Sequence, residues 1–255
     1  SAWIGYRFSY DMLGEGARTA KDADRYFARY LEALEAVGSA AGPSPQNHAD
    51  ALMSRPSLSV KLSAIHPRFE PGKAEQVSAE AGPRLLELAR LAKAWNIGLT
   101  IDAEEQDRLD LTLAQFAKCF LDPALSGWNG FGLAVQAYGK RAIPVLRWLR
   151  AIAHQGGRRI PVRLVKGAYW DSEIKWAQEL GLADYPVFSS KINTDVSYLA
   201  SVRFLLSDAA AFYPQFATHN AQTLGSIIEL AGNRRDFEFQ RLHGMGEALY
   251  EELVG

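Results

Sequence analysis

The chain has 255 residues, of which 48% are hydrophobic, and its formal net charge at pH 7 is −1. This length suits one sizeable core and lies close to the roughly 250 residues of a single (β/α)8 barrel. The small net charge argues against nucleic acid as a partner, since there is no basic excess to displace counterions from phosphates. Cys119 is the only cysteine, which excludes an internal disulfide and a cysteine-rich metal site.

No apolar run approaches the about 20 residues that a membrane span requires. The first residues also lack the pattern of a signal peptide. We therefore expect a single cytoplasmic domain over residues 1–255.

Short hydrophobic strands alternate with helices along the whole chain. The strands are predicted at 7–13, 58–62, 97–102, 131–136, 161–166, 215–218 and 237–242. The helices are predicted at 19–38, 72–96, 109–120, 140–154, 171–180, 190–206, 223–231 and 246–254. Such alternation indicates parallel strands joined by helical crossovers, an α/β fold of the TIM-barrel type. A (β/α)8 barrel closes with an eighth strand, so either this count of seven strands is one short or the chain stops before the barrel closes.

Individual residues predict several helix boundaries. Thr19, with Asp22 three residues later, predicts a capping box at the start of the first helix, and Gly38 predicts its end. Pro83 is expected to restart the second long helix, because its ring is tolerated only in a first turn or at a kink. Asp171 is expected to cap the helix after the fifth strand. The Pro-, Ser- and Gly-rich residues 39–56 are predicted to form a loop.

Polar or ionisable residues follow every predicted strand. They are Asp11, Lys61, Asp102, Gln136, Arg163 with Lys166, Thr218 with His219 and Asn220, and Gln240 with His243. In a parallel barrel, binding and catalytic side chains collect at the carboxyl ends of the strands. The sequence therefore predicts a rim that binds a large ligand through several hydrogen-bonding edges. Around the fifth strand, the cations Arg163 and Lys166 and the aromatic residues Tyr169 and Trp170 favour a ligand that is anionic, flat and aromatic.

Several of these residues also have a purely structural interpretation. A single polar residue at a strand end is more often a helix cap than a ligand. The acidic run 102–107 is typical of the solvated start of a helix. His219 could be a hydrogen-bonded core histidine, and His66 could be structural in a turn.

Lys61 is harder to explain in this way. It lies between Val60 and Leu62 on a strand that is expected to be buried on both faces. A buried ammonium needs a partner or a ligand, and Asp102 on the neighbouring strand is the expected partner. The sequence contains neither a metal-ligand pattern nor a glycine-rich phosphate loop.

Seven segments, taken together and in this order, resemble the proline dehydrogenase family, particularly its form in the bifunctional bacterial enzyme proline utilization A. They are YDMLGE at 10–15, KLSAIHPR at 61–68, DAEE at 102–105, QAY at 136–138, RLVKGAYW at 163–170, FATHN at 216–220 and LHGMG at 242–246. The resemblance implies a distorted (β/α)8 barrel with noncovalent FAD at the carboxyl ends of the strands. It implies oxidation of L-proline to Δ1-pyrroline-5-carboxylate by hydride transfer from proline C5 to flavin N5, with a quinone as electron acceptor. It also implies an aldehyde dehydrogenase domain in the longer enzyme and at most peripheral membrane association.

The resemblance assigns roles residue by residue. The catalytic group is expected to be Lys61, Asp102, Arg163 and Tyr169. Proline is expected to contact Lys61, Leu164, Tyr169 and Leu242. FAD is expected to contact Asp102, Gln136, Arg163, Val165, Lys166, Gly167, Ala168, Trp170, Ser189, Ala217, Thr218, His219, Asn220, Gln240 and Arg241. No metal is expected. In the family an eighth strand follows, and then a helix whose arginine pair clamps the proline carboxylate. The resemblance therefore leads us to expect that the eighth strand and the last helix are missing from this chain, and to expect weak proline binding if the chain ends before them.

Two other hypotheses remain at this stage. A Schiff-base lyase on the same barrel would use Lys61 or Lys166 as a desolvated amine nucleophile. A truncated scaffold would bind the flavin or a partner without catalysing a reaction. The first predicts a lysine that borohydride traps, and the second predicts bound FAD that proline does not reduce.

Overall fold

The strands of the structure follow the predicted order along the chain. The computed structural model describes residues 6–12, 16–43 and 51–254, and seven strands lie in these ranges. They are β1 (Ser9–Asp11), β2 (Ser57–Val60), β3 (Gly98–Ile101), β4 (Phe131–Gln136), β5 (Ile160–Val165), β6 (Phe212–Ala217) and β7 (Glu238–Gln240). The strands pair in parallel and alternate with helices, which confirms the α/β fold of the TIM-barrel type.

Nine α-helices lie in the described ranges. They are α1 (Ala20–Ala41), α2 (Leu62–Ile65), α3 (Ala74–Ala94), α4 (Leu109–Phe120), α5 (Ala142–Gly156), α6 (Trp170–Glu179), α7 (Lys191–Leu206), α8 (Ala221–Ala231) and α9 (Glu247–Val254). Short 3-10 turns occur at Ala51–Ser54, Pro71–Lys73, Gln106–Arg108 and Pro123–Leu125. The short α2, directly after β2, was not predicted.

The described chain forms two compact units, and the boundary between them falls within β4. The N-terminal unit, Tyr6–Leu133, contains β1, β2 and β3 as successive neighbours. Val60 pairs with Ile101, and the Asp102 backbone N–H donates to the Val60 carbonyl at 2.9 Å. Because β2 and β3 end at the same level, Lys61 and Asp102 emerge side by side.

The second unit comprises residues 134–254 of the described chain. In it, β6 lies between β5 and β7 and pairs with both. Arg163 pairs with Gln215, and Ala217 pairs with Gln240. This register brings the polar residues at the ends of the three strands together. The expected single domain over residues 1–255 stays a prediction.

Two predicted boundaries of helix α1 have different outcomes. The capping box is confirmed, because Thr19 Oγ1 accepts from the Asp22 N–H at 3.1 Å and Asp22 accepts in return from the Thr19 N–H at 3.1 Å. The predicted end at Gly38 is wrong, since the helix continues to Ala41 and ends before Gly42, which has a φ of +67°. A Cβ at residue 38 would lie 2.2 Å from the Trp95 ring, so this glycine permits close packing instead of ending the helix.

Three other local predictions are corrected by tertiary contacts. Helix α3 runs without interruption through Pro83, because buried side chains continue on one face before and after the proline. Strand β6 begins at Phe212, three residues before the predicted start at residue 215, and it therefore includes Pro214. The strand tolerates this proline because pairing with β7 begins only at the next residue, Gln215. Tyr169, and not Asp171, is the N-cap residue of α6, and Asp171 lies in the first turn of that helix. Residues 13–15 and 44–50, where parts of the first strand and of the loop were predicted, lie outside the described residues.

We expect opposite effects from alanine at two helical glycines. Gly38→Ala should lower the free energy of unfolding by about 1–3 kcal/mol, because the new methyl group overlaps the Trp95 ring. Gly225→Ala in α8 should raise it by about 0.5–1 kcal/mol, because nothing lies within 4 Å and alanine loses less entropy in a helix. Urea unfolding of both variants measures the two changes, and equal changes would contradict the proposed packing of Gly38.

Candidate functional site

Lys61 lies at the centre of an ion cluster in the N-terminal unit. It follows β2 directly and is the N-cap residue of α2. Its Nζ lies 3.0 Å from Asp102 Oδ2 and 3.1 Å from Asp11 Oδ2. The side chains of Lys61 and Asp102 are each 14% exposed, whereas that of Asp11 is 46% exposed. The predicted pairing of Lys61 with Asp102 is confirmed, and Asp11 is a second partner that was not expected.

These carboxylates determine the charge of Lys61. Burial alone would lower the pKa of its ammonium, but the carboxylates of Asp102 and Asp11 outweigh burial and hold the pKa above its usual value. The Lys61 backbone N–H donates to the Tyr30 hydroxyl at 3.3 Å, and burial raises the pKa of Tyr30 to about 12. Lys61 is therefore a fixed cation, suited to contact an anionic group of a ligand.

Glu104 is a buried carboxylate that the sequence interpretation missed. Its Oε1 accepts from the Ser63 N–H at 3.0 Å, and its Oε2 accepts from Arg108 at 2.7 Å. Burial raises the pKa of Glu104 against the opposing effects of Ser63 and Arg108. The solvated interpretation of the acidic run is therefore wrong for Glu104. The spacing of four residues between Glu104 and Arg108 is the signal that could have indicated a pair.

In the second unit, a chain of hydrogen bonds orients Arg163 at β5. The Arg163 Nε donates to Gln240 Oε1 at 2.8 Å, and Gln240 Nε2 donates to Glu238 Oε1 at 2.7 Å. Gln215 Nε2 donates to the same carboxylate oxygen at 2.9 Å. Glu238 was not predicted, although its position two residues before Gln240 places both side chains on one face of β7. The amide of Gln240 thus links the Arg163 guanidinium to the Glu238 carboxylate.

The segment after β5 depends on Gly167. Its φ is +144°, and a Cβ there would lie 2.3 Å from the Tyr138 ring. The Ala168 N–H donates to Gln136 Oε1 at 3.1 Å, and the Tyr138 N–H donates to the Lys166 carbonyl at 2.7 Å. These contacts present the residues on both sides of Gly167 in one defined loop.

Cationic and aromatic groups flank this loop. Lys166 forms an ion pair with Asp195, whose second oxygen lies 3.6 Å from Lys191. Two ammonium groups and one carboxylate leave this group with a net charge of +1. The indole N–H of Trp170 donates to the Phe188 carbonyl at 2.9 Å, while the side chain stays 42% exposed. The loop therefore presents positive charge and an aromatic surface.

The residues after β6 combine structural contacts with exposure. His219 is exposed, so its interpretation as a core histidine is wrong, and its Nε2 accepts from the Leu242 N–H at 3.0 Å. Asn220 caps α8, because its Oδ1 accepts from the Thr223 N–H at 2.8 Å. Thr218 is buried, and its carbonyl accepts from the Tyr250 hydroxyl at 2.8 Å. His66 is buried, with its Nε2 3.2 Å from Glu80, in agreement with a structural role.

The other predicted site residues differ in exposure. Leu164 is fully buried, whereas Leu242 is 64% exposed, so only the second is open to a ligand in this structure. Val165, Tyr169 and Ala217 are half-buried, and Ala168 and Ser189 are exposed. Arg241 is mostly buried, and its Nη1 donates to the Met245 carbonyl at 3.2 Å. Their individual roles stay predictions.

Two classes of feature are absent from the described ranges. No group of three or more His, Cys, Asp or Glu side chains there could hold a metal ion. No helix in that part of the chain is long and apolar enough to cross a membrane.

Comparison with known proteins gives consistent matches over nearly the whole chain. The family model described as proline dehydrogenase matches residues 2–255. The bifunctional protein PutA of Escherichia coli strain K12 is 49% identical over 254 residues, which cover 98% of this chain and 19% of that protein. Proline dehydrogenase 1 of Bacillus subtilis strain 168 is 25% identical over 249 residues, covering 96% of this chain and 68% of that protein.

A crystal structure of a mutant of Bradyrhizobium japonicum proline utilization A superposes with a TM-score of 0.93 at 56% identity. The match covers 97% of this chain and 25% of the crystallised chain. The chain thus spans about a fifth of the length of the bifunctional relatives that it matches.

The two aspartates beside Lys61 should contribute unequally to stability. Asp102→Asn should lower the free energy of unfolding by about 2–4 kcal/mol, because it removes the buried partner of a buried ammonium. Asp11→Asn should cost less than about 1 kcal/mol, because that carboxylate is largely exposed and screened. Urea unfolding of the matched pair at neutral pH measures both values, and a larger loss for Asp11→Asn would contradict this ranking.

Proposed function

This chain belongs to the proline dehydrogenase family, and from that membership we propose that it oxidises L-proline to Δ1-pyrroline-5-carboxylate with noncovalent FAD. The observation that carries the proposal is the half-buried Arg163, which Gln240 and Glu238 orient at β5. A fixed guanidinium supplies positive charge to the reduced, anionic form of a flavin. FAD, when bound, supplies the acceptor for the hydride from proline C5.

The second unit offers donors that fit FAD. The positively charged group around Lys166 suits the pyrophosphate, and the exposed indole of Trp170 suits a flat ring system. Arg163 and Gln136 are proposed to contact the polar edges of the flavin, and the hydrogen bond from the Ala168 N–H to Gln136 Oε1 holds that amide next to the loop. The further contacts that we propose come from Val165, Gly167, Ala168, Ser189, Ala217, Thr218, His219, Asn220, Gln240 and Arg241.

The N-terminal unit contributes a cation for the substrate carboxylate. Lys61 is proposed to bind that carboxylate, while Asp102 keeps the ammonium charged and directed. Tyr169 and Leu242 are proposed to surround the proline ring, and the fully buried Leu164 is proposed to support this apolar wall without being open to the ligand itself. Holding the carboxylate fixes which ring carbon is presented for oxidation, which is the orienting role that a protein adds to flavin chemistry.

The charge state of Lys61 argues against the lyase hypothesis for this residue. An amine nucleophile must lose its proton, and nucleophilic lysines accordingly have a lowered pKa. Asp102 and Asp11 have the opposite effect on Lys61. The cluster therefore favours ionic binding over Schiff-base formation at this lysine.

Several proposals concern the whole protein, since this chain spans only about a fifth of the bifunctional relatives. We propose that a quinone accepts the electrons and that an aldehyde dehydrogenase domain belongs to the same polypeptide. We also propose that the protein acts in proline catabolism in the cytoplasm, with at most peripheral membrane contact.

The decisive measurement is the visible spectrum of the FAD-loaded protein before and after anaerobic addition of L-proline. We expect a flavin spectrum that bleaches with L-proline and stays unchanged with D-proline, because only one enantiomer can place its carboxylate at Lys61 and its ring between Tyr169 and Leu242 while presenting C5 to the flavin. A bound flavin that L-proline does not bleach would support the scaffold hypothesis. A protein that cannot bind FAD would contradict the proposal.

Lys61→Met should weaken proline binding without loss of flavin. We expect the proline concentration for half-maximal bleaching to rise about 100-fold, because a desolvated charge-to-charge contact is removed. Lys140→Met is the matched control, since Lys140 pairs with the exposed Asp184 in the other unit. Titrations of both variants at equal FAD content give the comparison, and equal shifts in the two would contradict the assigned role of Lys61.

A further inference from the structure

The turn after Lys61 lacks the cap that its position calls for. Lys61 is the N-cap residue of α2 and makes no side-chain capping hydrogen bond. The N–H groups in the first turn of a helix have no partner within the helix, and an N-cap side chain normally accepts from one of them. A lysine cannot do so, because its ammonium only donates.

Glu104 supplies this contact from another loop. Its Oε1 accepts a hydrogen bond from the backbone N–H of Ser63, the second residue of α2, at 3.0 Å. Lys61 and Ser63 are separated by one residue, as are Asp102 and Glu104. The same two segments are therefore joined twice, once by the Lys61–Asp102 ion pair and once by the Ser63–Glu104 hydrogen bond.

Further hydrogen bonds fix both Glu104 and Ser63, the two residues of this second contact. Arg108 donates to Glu104 Oε2 at 2.7 Å. The Ser63 carbonyl accepts from the Ala17 N–H at 2.8 Å, and its Oγ accepts from the Gly16 N–H at 3.2 Å. Glu104 is 6% exposed, so water cannot easily replace it as the acceptor.

We propose that Glu104 is a positioning residue that caps α2 from outside and thereby holds the Lys61 ammonium against Asp102. The side chain of Lys61 is released from capping and remains available for a ligand. The effect on proline binding rests on the proposed function, whereas the effect on the position of Lys61 does not.

Two conservative variants distinguish the effect of the length of the Glu104 side chain from the effect of its charge. Glu104→Gln keeps an oxygen at the same distance from Ser63 but loses the charge that faces Arg108. Glu104→Asp keeps the charge but is one methylene shorter and cannot reach Ser63. Glu105→Ala is the control, because Glu105 lies 3.3 Å from Arg108 and has no hydrogen bond to Ser63 among the described contacts.

The first readout is the acetylation rate of Lys61 by acetic anhydride, measured by peptide mass spectrometry relative to the other lysines and without proline. We expect the rate to rise about threefold or more in Glu104→Asp, because the turn opens locally. It should stay within about twofold of wild type in Glu104→Gln and Glu105→Ala. Unchanged acetylation in Glu104→Asp, or a larger rise in Glu104→Gln than in Glu104→Asp, would overturn the proposal.

The second readout is steady-state kinetics of the FAD-loaded protein. We expect Glu104→Asp to raise KM for L-proline about tenfold with kcat within about twofold, since a misplaced Lys61 weakens carboxylate binding. Increased acetylation with an unchanged KM would support the positioning role of Glu104 and refute the assigned role of Lys61. A general loss of kcat, FAD and thermal stability in Glu104→Asp without increased Lys61 acetylation would show that Glu104 has a structural role only.

Discussion

A half-buried ammonium constrains the arrangement of three strands in the N-terminal unit. Lys61 is stable in this position only because Asp11 and Asp102 lie within about 3 Å of it, a distance at which a partly desolvated ion pair retains its attraction. Each of the three residues ends or follows its own strand. In the observed register Asp102 lies level with Lys61, whereas Asp11 lies opposite Ser59, two residues earlier on β2, and the ion cluster both requires and stabilises that register.

The second unit orients its cation in a different way. Arg163 contacts the amide oxygen of Gln240, and the carboxylate of Glu238 contacts the amide nitrogen. Gln240 thus links the guanidinium to a carboxylate on its own strand. At Lys61, by contrast, both carboxylates contact the ammonium directly. Both cations therefore depend on contacts that the neighbouring strands provide.

The sequence predicted the parts of the structure that local chemistry decides. Strand β4 has the predicted limits, and the Thr19 capping box is present, because both depend on residues close in the chain. The errors at Gly38 and Pro83 have another cause. Trp95 approaches Gly38 from a distant segment, and a continuous buried face carries α3 past the proline. Composition and spacing do not contain these contacts.

In the candidate site, too, some residues could be predicted from the sequence and others depend on distant contacts. Lys61, Asp102 and Arg163 could be recognised because charged residues at the ends of buried strands are unusual. Tyr30 accepts a hydrogen bond from the Lys61 backbone, whereas Glu104 and Glu238 accept from the neighbouring Ser63 and Gln240. In the sequence, all three resemble ordinary surface or core positions. Their importance depends on which segments the fold brings together. Residues that support a site are therefore harder to predict than residues that form it.

The loop after β5 depends on stereochemistry as well as on size. At Gly167, the φ of +144° and the Tyr138 ring both oppose a side chain of the L configuration. The mirror image of this φ lies in the ordinary extended region, so this φ by itself does not strain a D-residue. Its Cβ would replace the other Cα hydrogen instead of the one on the side of the Tyr138 ring. Ribosomal synthesis offers no such residue, and glycine, the one achiral amino acid, is the encoded solution at this position.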